Sequence, residues 1–210
     1  MTTEERYRRI LSNHLPAQAV DTVYGYLERH KVHFHITRQR TSKLGDYRWP
    51  QSARGHDYHE ISINGDLNPY LFLWVFLHEA AHLETHLKHS HAQPHGHEWQ
   101  AEYARLIARS THLFPTEEQP LLTRLAQRIP LSRPLLRQVE DRLRRYDPDY
   151  RPEEHPTLDQ LPAGSRFRLR TRPDMELQSL ERRRTRWLCI DTATGRRYTI
   201  SASAEIIPEP

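Results

Sequence analysis

The sequence predicts an α+β fold, helix-rich in its first part, with a small β-rich C-terminal appendage. Three observations carry that prediction. Apolar residues recur at helical spacing over most of residues 3–146. Two segments within that part, 32–38 and 59–64, alternate apolar and polar as half-buried strands do. Residues 165–210 break into short strand-like runs separated by turn signals. A length of 210 residues suits one domain plus a small appendage. The expected organisation is a core at 1–146, a Pro-rich linker or covering segment at 147–164, and an Arg-rich appendage at 165–210.

Residues 3–12 and 16–30 read as helices, the second with Val20, Val23, Tyr24 and Leu27 on one face. VHFHITR (32–38) is the first strand. Residues 39–57 hold Gly45, Pro50 and Gly55 among many polar residues and read as an irregular loop or loose hairpin. HEISIN (59–64) is the second strand. Asn68-Pro69 then supplies an N-cap and a first helical residue that needs no N–H partner. The run YLFLWVFLHEAAHLETHLK is apolar on all sides for two turns, so a buried central helix is expected from Pro69 to Lys88. Pro94 and Gly96 end it. A third helix starts near Gly96 with Trp99, Tyr103, Leu106 and Ile107 on one face. Residues 115–127 and 133–146 predict two more helices, with Thr116 and Ser132 as caps. RFRLR, TRWLCI and RYTISA are strands, the last two joined by a Gly-containing turn.

Composition closes off several classes. One cysteine, Cys189, rules out a disulfide framework or a four-cysteine zinc ribbon within this sequence, and it reads as a buried small hydrophobe. The longest apolar run, Tyr70 to Leu77, is eight residues where a membrane span needs about 20, so no membrane partner is expected. The start, MTTEERYRRI, lacks a signal-peptide apolar core, which predicts a cytoplasmic location. Two distributions are uneven. Residues 161–210 hold ten Arg against six acids and so carry the whole formal charge of +4. Seven of the 15 His lie between His78 and His97.

His78-Glu79-Ala80-Ala81-His82 falls on the most apolar helix. Residues four apart share a helix face, so His78 and His82 point at one metal ion and Glu79 stands beside them as general base. Two imidazoles and a carboxylate buried there need such a partner. Zinc in catalytic sites takes three protein ligands and leaves a fourth position for water. For the third ligand the sequence offers His95 and, as the main alternative, Glu102, with His86, His91 and His97 also nearby. His86 continues the helical row, but His78 and His86 stand about 12 Å apart along the axis, too far for one ion. The expected chemistry is peptide hydrolysis by zinc-activated water, with Glu79 accepting its proton.

The string Ile-x-Ile-Asn at 61–64, the apolar helix with HEAAH, and PHGHEW at 94–99 together resemble the SprT-like family of zinc metallopeptidases. That family includes the bacterial SprT proteins and the Spartan-type DNA-dependent proteases. The resemblance spans about residues 20–110. It implies a zincin-like core, a strand pair ahead of the zinc helix, and His95, next to Gly96, as third ligand with Trp99 as the motif aromatic. It also implies protein substrates, among them DNA-associated or DNA-crosslinked proteins. Many relatives add a four-cysteine ribbon that this sequence lacks, so ribbon-based functions do not carry over.

The Arg-rich appendage bears on the DNA question. Arg166, Arg168, Arg170 and Arg172 alternate along RFRLRTR and predict one basic strand face. Arg182, Arg183, Arg184 and Arg186 come just before Trp187, and a positive strand face with the aromatics Trp187 and Tyr198 nearby would bind phosphates electrostatically. Nucleic-acid contact through Arg168, Arg170, Arg182, Arg183, Arg184 and Arg186 is therefore one expectation, and a solvated face neutralised by nearby acids is the other. The competing functional class is a nucleic-acid-associated binding protein with weak or no peptidase activity.

Overall fold

The computed structural model describes residues 2–49, 58–89, 91–150, 156–170 and 172–209. The chain forms two compact units, Met1–Tyr150 and Arg151–Pro210. The first contains helices α1 (Thr3–Ser12), α2 (Val20–Arg29), α3 (Pro69–Lys88), α4 (His97–Ser110), α5 (Gln119–Ala126) and α6 (Arg133–Leu143). Its strands are β1 (Val32–Thr37), β2 (Gly45–Arg48) and β3 (His59–Asn64). Among the described residues no helix is long and apolar enough to cross a membrane.

Helix α3 is the axis of this unit, with the predicted bounds. The Asn68 side chain accepts from the N–H groups of Tyr70 and Leu71 at 3.1 and 3.0 Å, and Pro69 takes the first helical position. The Asn68 amide also donates to the Leu143 carbonyl at 2.9 Å, tying the end of α6 to the start of α3. Every side chain from Leu71 to Leu77 is buried. Each such burial stabilises the fold by about 1.5–3 kcal/mol, which explains a helix apolar on all sides. Helix α4 packs Trp99, Tyr103, Leu106 and Ile107 inward.

Three strands precede α3 where the sequence indicated two. Sheet order is β1-β3-β2, with β1 parallel and β2 antiparallel to β3. Strand β2 lies inside the stretch read as an irregular loop or loose hairpin, of which 50–57 fall outside the described residues. It is held by distant polar groups. The Asn64 side chain, fully buried, accepts from Arg40 Nε at 2.8 Å and donates to the Arg40 and Lys43 carbonyls at 3.0 and 3.3 Å. These bonds satisfy a buried amide and fix the chain entering β2.

Other differences are local. The helix expected from 16 begins as a 3-10 turn over Ala17–Ala19. Thr116 caps nothing: α5 starts after Glu118, whose buried carboxylate is engaged by Arg142 at 2.5 Å. Ser132 stands at the N-cap of α6 without a side-chain capping bond.

The second unit is an antiparallel sheet of order β7-β6-β5-β4-β8, built from β4 (Arg166–Leu169), β5 (Arg172–Arg182), β6 (Arg186–Asp191), β7 (Arg197–Ser201) and β8 (Ile206–Pro208). Leu158, Phe167, Leu177, Trp187, Cys189 and Ile206 form its core. Leu158 comes from a 3-10 turn at Leu158–Gln160, so the C-terminal part of the 147–164 stretch is built into this unit. Residues 151–155 of that stretch lie outside the described residues.

Candidate metal centre

His78 and His82 sit one turn apart on α3. His95 comes from the loop that returns into α4. Its Nε2 lies 3.2 Å from His78 Nε2 and 3.1 Å from His82 Nε2. One ring proton cannot serve both contacts, so three neutral imidazoles with lone pairs converging this closely are best satisfied by a cation. Zinc held at about 2.0–2.1 Å by tetrahedral nitrogens spaces them about 3.3 Å apart, close to the separations seen. Among the described residues, His78, His82 and His95 are the three His, Cys or acidic residues brought together in this way.

His95 reaches this position through an unusual backbone, with φ of 57°. A non-glycine residue in the left-handed region is strained by about 1–2 kcal/mol, and such strain gathers at functional sites. The Gln100 side chain holds it: its amide donates to the His95 carbonyl at 3.0 Å while its own oxygen accepts from Leu131 N–H at 2.8 Å. Trp99, buried under the loop, packs against all three imidazoles at 4.7, 5.2 and 4.6 Å. The Tyr47 ring stacks parallel to His82 at 6.4 Å, and its hydroxyl is 3.1 Å from His59 Nδ1. Burial is the main cause that lowers the pKa of His78 to about 3 and of His82 to about 4, with neighbouring imidazoles adding to it. His95 is lowered as well, by burial. The three rings thus stay neutral, the form that binds metal.

Glu79 follows His78 and is nearly fully buried. Burial first, and then the Asp46 carboxylate, raise its pKa to about 7, while the Tyr47 backbone N–H bonds the charged form. Strand β2 passes so close that a Cβ at Gly45 would lie 2.6 Å from Glu79 Oε1 and from Val75 Cγ1. Only glycine fits there. Beside Glu79 opens a pocket of about 220 Å³ whose lining includes Lys43, Leu44, Trp74 and Glu140.

The alternatives for the third ligand lie elsewhere. Glu102 receives Lys88 Nζ at 2.9 Å and Arg105 at 2.7 Å, which hold its carboxyl below the usual range. The His86 ring packs tilted against Trp49, with ring centroids 4.0 Å apart. His91 and His97 are exposed and outside the cluster. Sequence reasoning missed Gly45, Tyr47 and Glu140, brought in by segments remote from the motifs, and Gln100, which directly follows PHGHEW.

The Arg residues divide. Arg168 pairs with Glu209 at 2.6 Å, Arg170 with Glu205 at 3.7 Å and Arg182 with Asp159 at 2.6 Å. Arg183 and Arg184 lie exposed in the turn between β5 and β6, and Arg186 is exposed at the start of β6. The expected single basic face along RFRLRTR does not form. Strand β4 ends at Leu169 after a register shift, and Arg172 stands opposite Leu169 on the next strand. Trp187 is buried, with its indole N–H donating to Asp159 at 3.3 Å.

Comparison with known proteins adds one finding. A model of the SprT-like family matches residues 12–119, just over half the chain. That stretch contains Glu79, the three histidines and β2, and it ends before α6. No curated protein and no solved structure matches.

Proposed function

The chain belongs to the SprT-like family, and from that premise we propose that its first unit is a zincin-like zinc metallopeptidase acting on protein substrates. The observation that carries the reading is the convergence of three neutral imidazole nitrogens, two of them one helical turn apart, next to a buried carboxylate. Three nitrogen ligands with room for a fourth suit catalytic zinc, and neutral imidazole accommodates it well. A bound zinc ion would supply Lewis acidity toward a peptide carbonyl and toward water.

The chain's own residues do the rest. His78 and His82 present their nitrogens from one face of a rigid helix. His95 closes the ligand set from a loop locked by Gln100. Glu79, with a pKa near neutrality, takes a proton from the attacking water and returns it to the departing amine. The Tyr47 N–H orients that carboxylate, and Gly45 allows the strand to press against it.

The test compares zinc-loaded wild type with Glu79→Gln on an unfolded protein substrate. Loss of a positioned base costs about 10²–10⁴ in rate. Equal rates at equal zinc content would remove the mechanism. Metal analysis of a His78→Ala variant checks the ligand set separately: its zinc content should fall well below one per chain.

A second reading concerns DNA. Arg183, Arg184 and Arg186 stand exposed in and beside one turn, with no side-chain partner among the described residues, which favours phosphate contact by the second unit. On this reading the substrates are proteins associated with, or crosslinked to, DNA.

A further inference from the structure

We propose that Glu140 makes the pocket beside Glu79 a subsite for a cationic side chain of the substrate, a lysine or an arginine. The proposal rests on the peptidase reading for the identity of the ligand as a polypeptide. Its structural basis is separate. The pocket, about 220 Å³, adjoins the histidine cluster through His78 and is walled by Leu44, Gly45, Val75 and Trp74, with Glu79 and Glu140 as its carboxylates. That lining suits a long side chain with an apolar stem and a charged head.

Glu140 projects from α6 and is partly buried. Its carboxyl accepts a hydrogen bond from the buried Trp74 indole, which leaves acceptor capacity unused. Among the described residues it forms no ion pair. Burial, the largest effect on it, raises its pKa, and Arg144 and Arg137 attract its charge without forming an ion pair, so a ligand cation entering the cavity beside it would favour the ionised form. Lys43, the cation on the same lining, is already spoken for: its Nζ lies 2.8 Å from Asp46. The pocket therefore favours positive charge. Helix α6 lies beyond residues 12–119, the part matched by the family model, so Glu140 is a feature of this chain outside that match.

The test uses three labelled peptides of neutral sequence that differ at one position, carrying lysine, norleucine or glutamate. Binding is read by fluorescence anisotropy on the zinc-loaded full chain with Glu79 intact, using non-cleavable analogues of the peptides so that no turnover occurs. The lysine peptide should bind about tenfold tighter than the norleucine peptide, the value expected of one charge-assisted hydrogen bond, and the glutamate peptide weakest. Adding Glu140→Gln should erase the lysine preference, and Glu140→Lys should turn it toward glutamate. A preference unchanged by Glu140→Gln overturns the assignment. So does equal binding of the three peptides to the chain with Glu140 intact, a comparison that needs no further variant to fold. A lysine preference in binding with no cleavage by wild type would count against the peptidase reading and for the pocket. Cleavage by wild type with no such preference in binding would do the reverse.

Discussion

At the scale of single residues, the candidate metal centre is assembled from side chains whose charge the surroundings suppress. His78 is half-buried against Trp99 and Tyr103 and close to two other imidazoles; this desolvation, with the neighbouring rings adding to it, lowers its pKa to about 3. The folded value lies below the unfolded value of about 6.5. Between those two values the unfolded chain binds the proton and the folded chain does not. The stability contributed is therefore complete above pH 6.5 and is lost as pH falls toward 3. For the metal-free protein, held so with a chelator, this one group should remove about 2 kcal/mol between neutral pH and pH 5. His78→Gln has no such proton to gain. Denaturant unfolding of both chains at pH 7 and pH 5 checks this: the wild type should lose more stability than the variant. Equal losses would mean that His78 is as well hydrated folded as unfolded.

At the scale of elements, strand β2 brings the site together, and it is the element least legible in the sequence. Helix α3 could be read to its end residues because its signals are local: an Asn-Pro start, an apolar run and a Lys88 end. The His78, Glu79, His82 cluster followed from helical spacing alone. Strand β2 is four residues, Gly-Asp-Tyr-Arg, with no apolar alternation, and its position depends on Asn64 and Arg40. Glu140 was equally hidden: the sequence predicts the helix that carries it, but nothing in the sequence places that helix beside the motif. The RFRLRTR run misled for the opposite reason: its alternation looked like one strand, but a register shift and a turn divide it. Gly45→Ala tests the role of β2. A methyl group 2.6 Å from Glu79 Oε1 must displace either the strand or the carboxylate. Stability should fall by about 1–3 kcal/mol, as overpacking costs. Hydrolysis should fall by at least about tenfold, because a base moved from its reach loses most of its effect. Wild-type activity in the folded variant would show that the close approach of β2 does not set the position of Glu79.

At the scale of the whole molecule, charge is partitioned between chain segments. Residues 161–210 carry the net +4, and the preceding 160 residues balance. Within the second unit half of the Arg residues named for DNA contact are neutralised in place: Arg168 by Glu209, Arg170 by Glu205, Arg182 by Asp159. Three remain, Arg183, Arg184 and Arg186, in a turn closed by the Arg183 N–H donating to the Arg186 carbonyl at 2.7 Å. A ligand that exploits them gains little from shape and much from released counterions. If three phosphates are contacted, log affinity falls with log salt at a slope of about −2.7, a loss of about 40-fold between 50 and 200 mM. Replacing all three residues with Gln in the full chain should flatten that dependence and weaken binding at 50 mM. Arg168→Gln should leave the slope nearly unchanged, because Arg168 already spends its charge on Glu209. Titration of a labelled DNA duplex at several salt concentrations reads both effects. If the wild-type chain does not bind at 50 mM salt, or if Arg168→Gln alters the slope as much as the triple variant does, the turn is not the contact and the DNA reading of this unit fails.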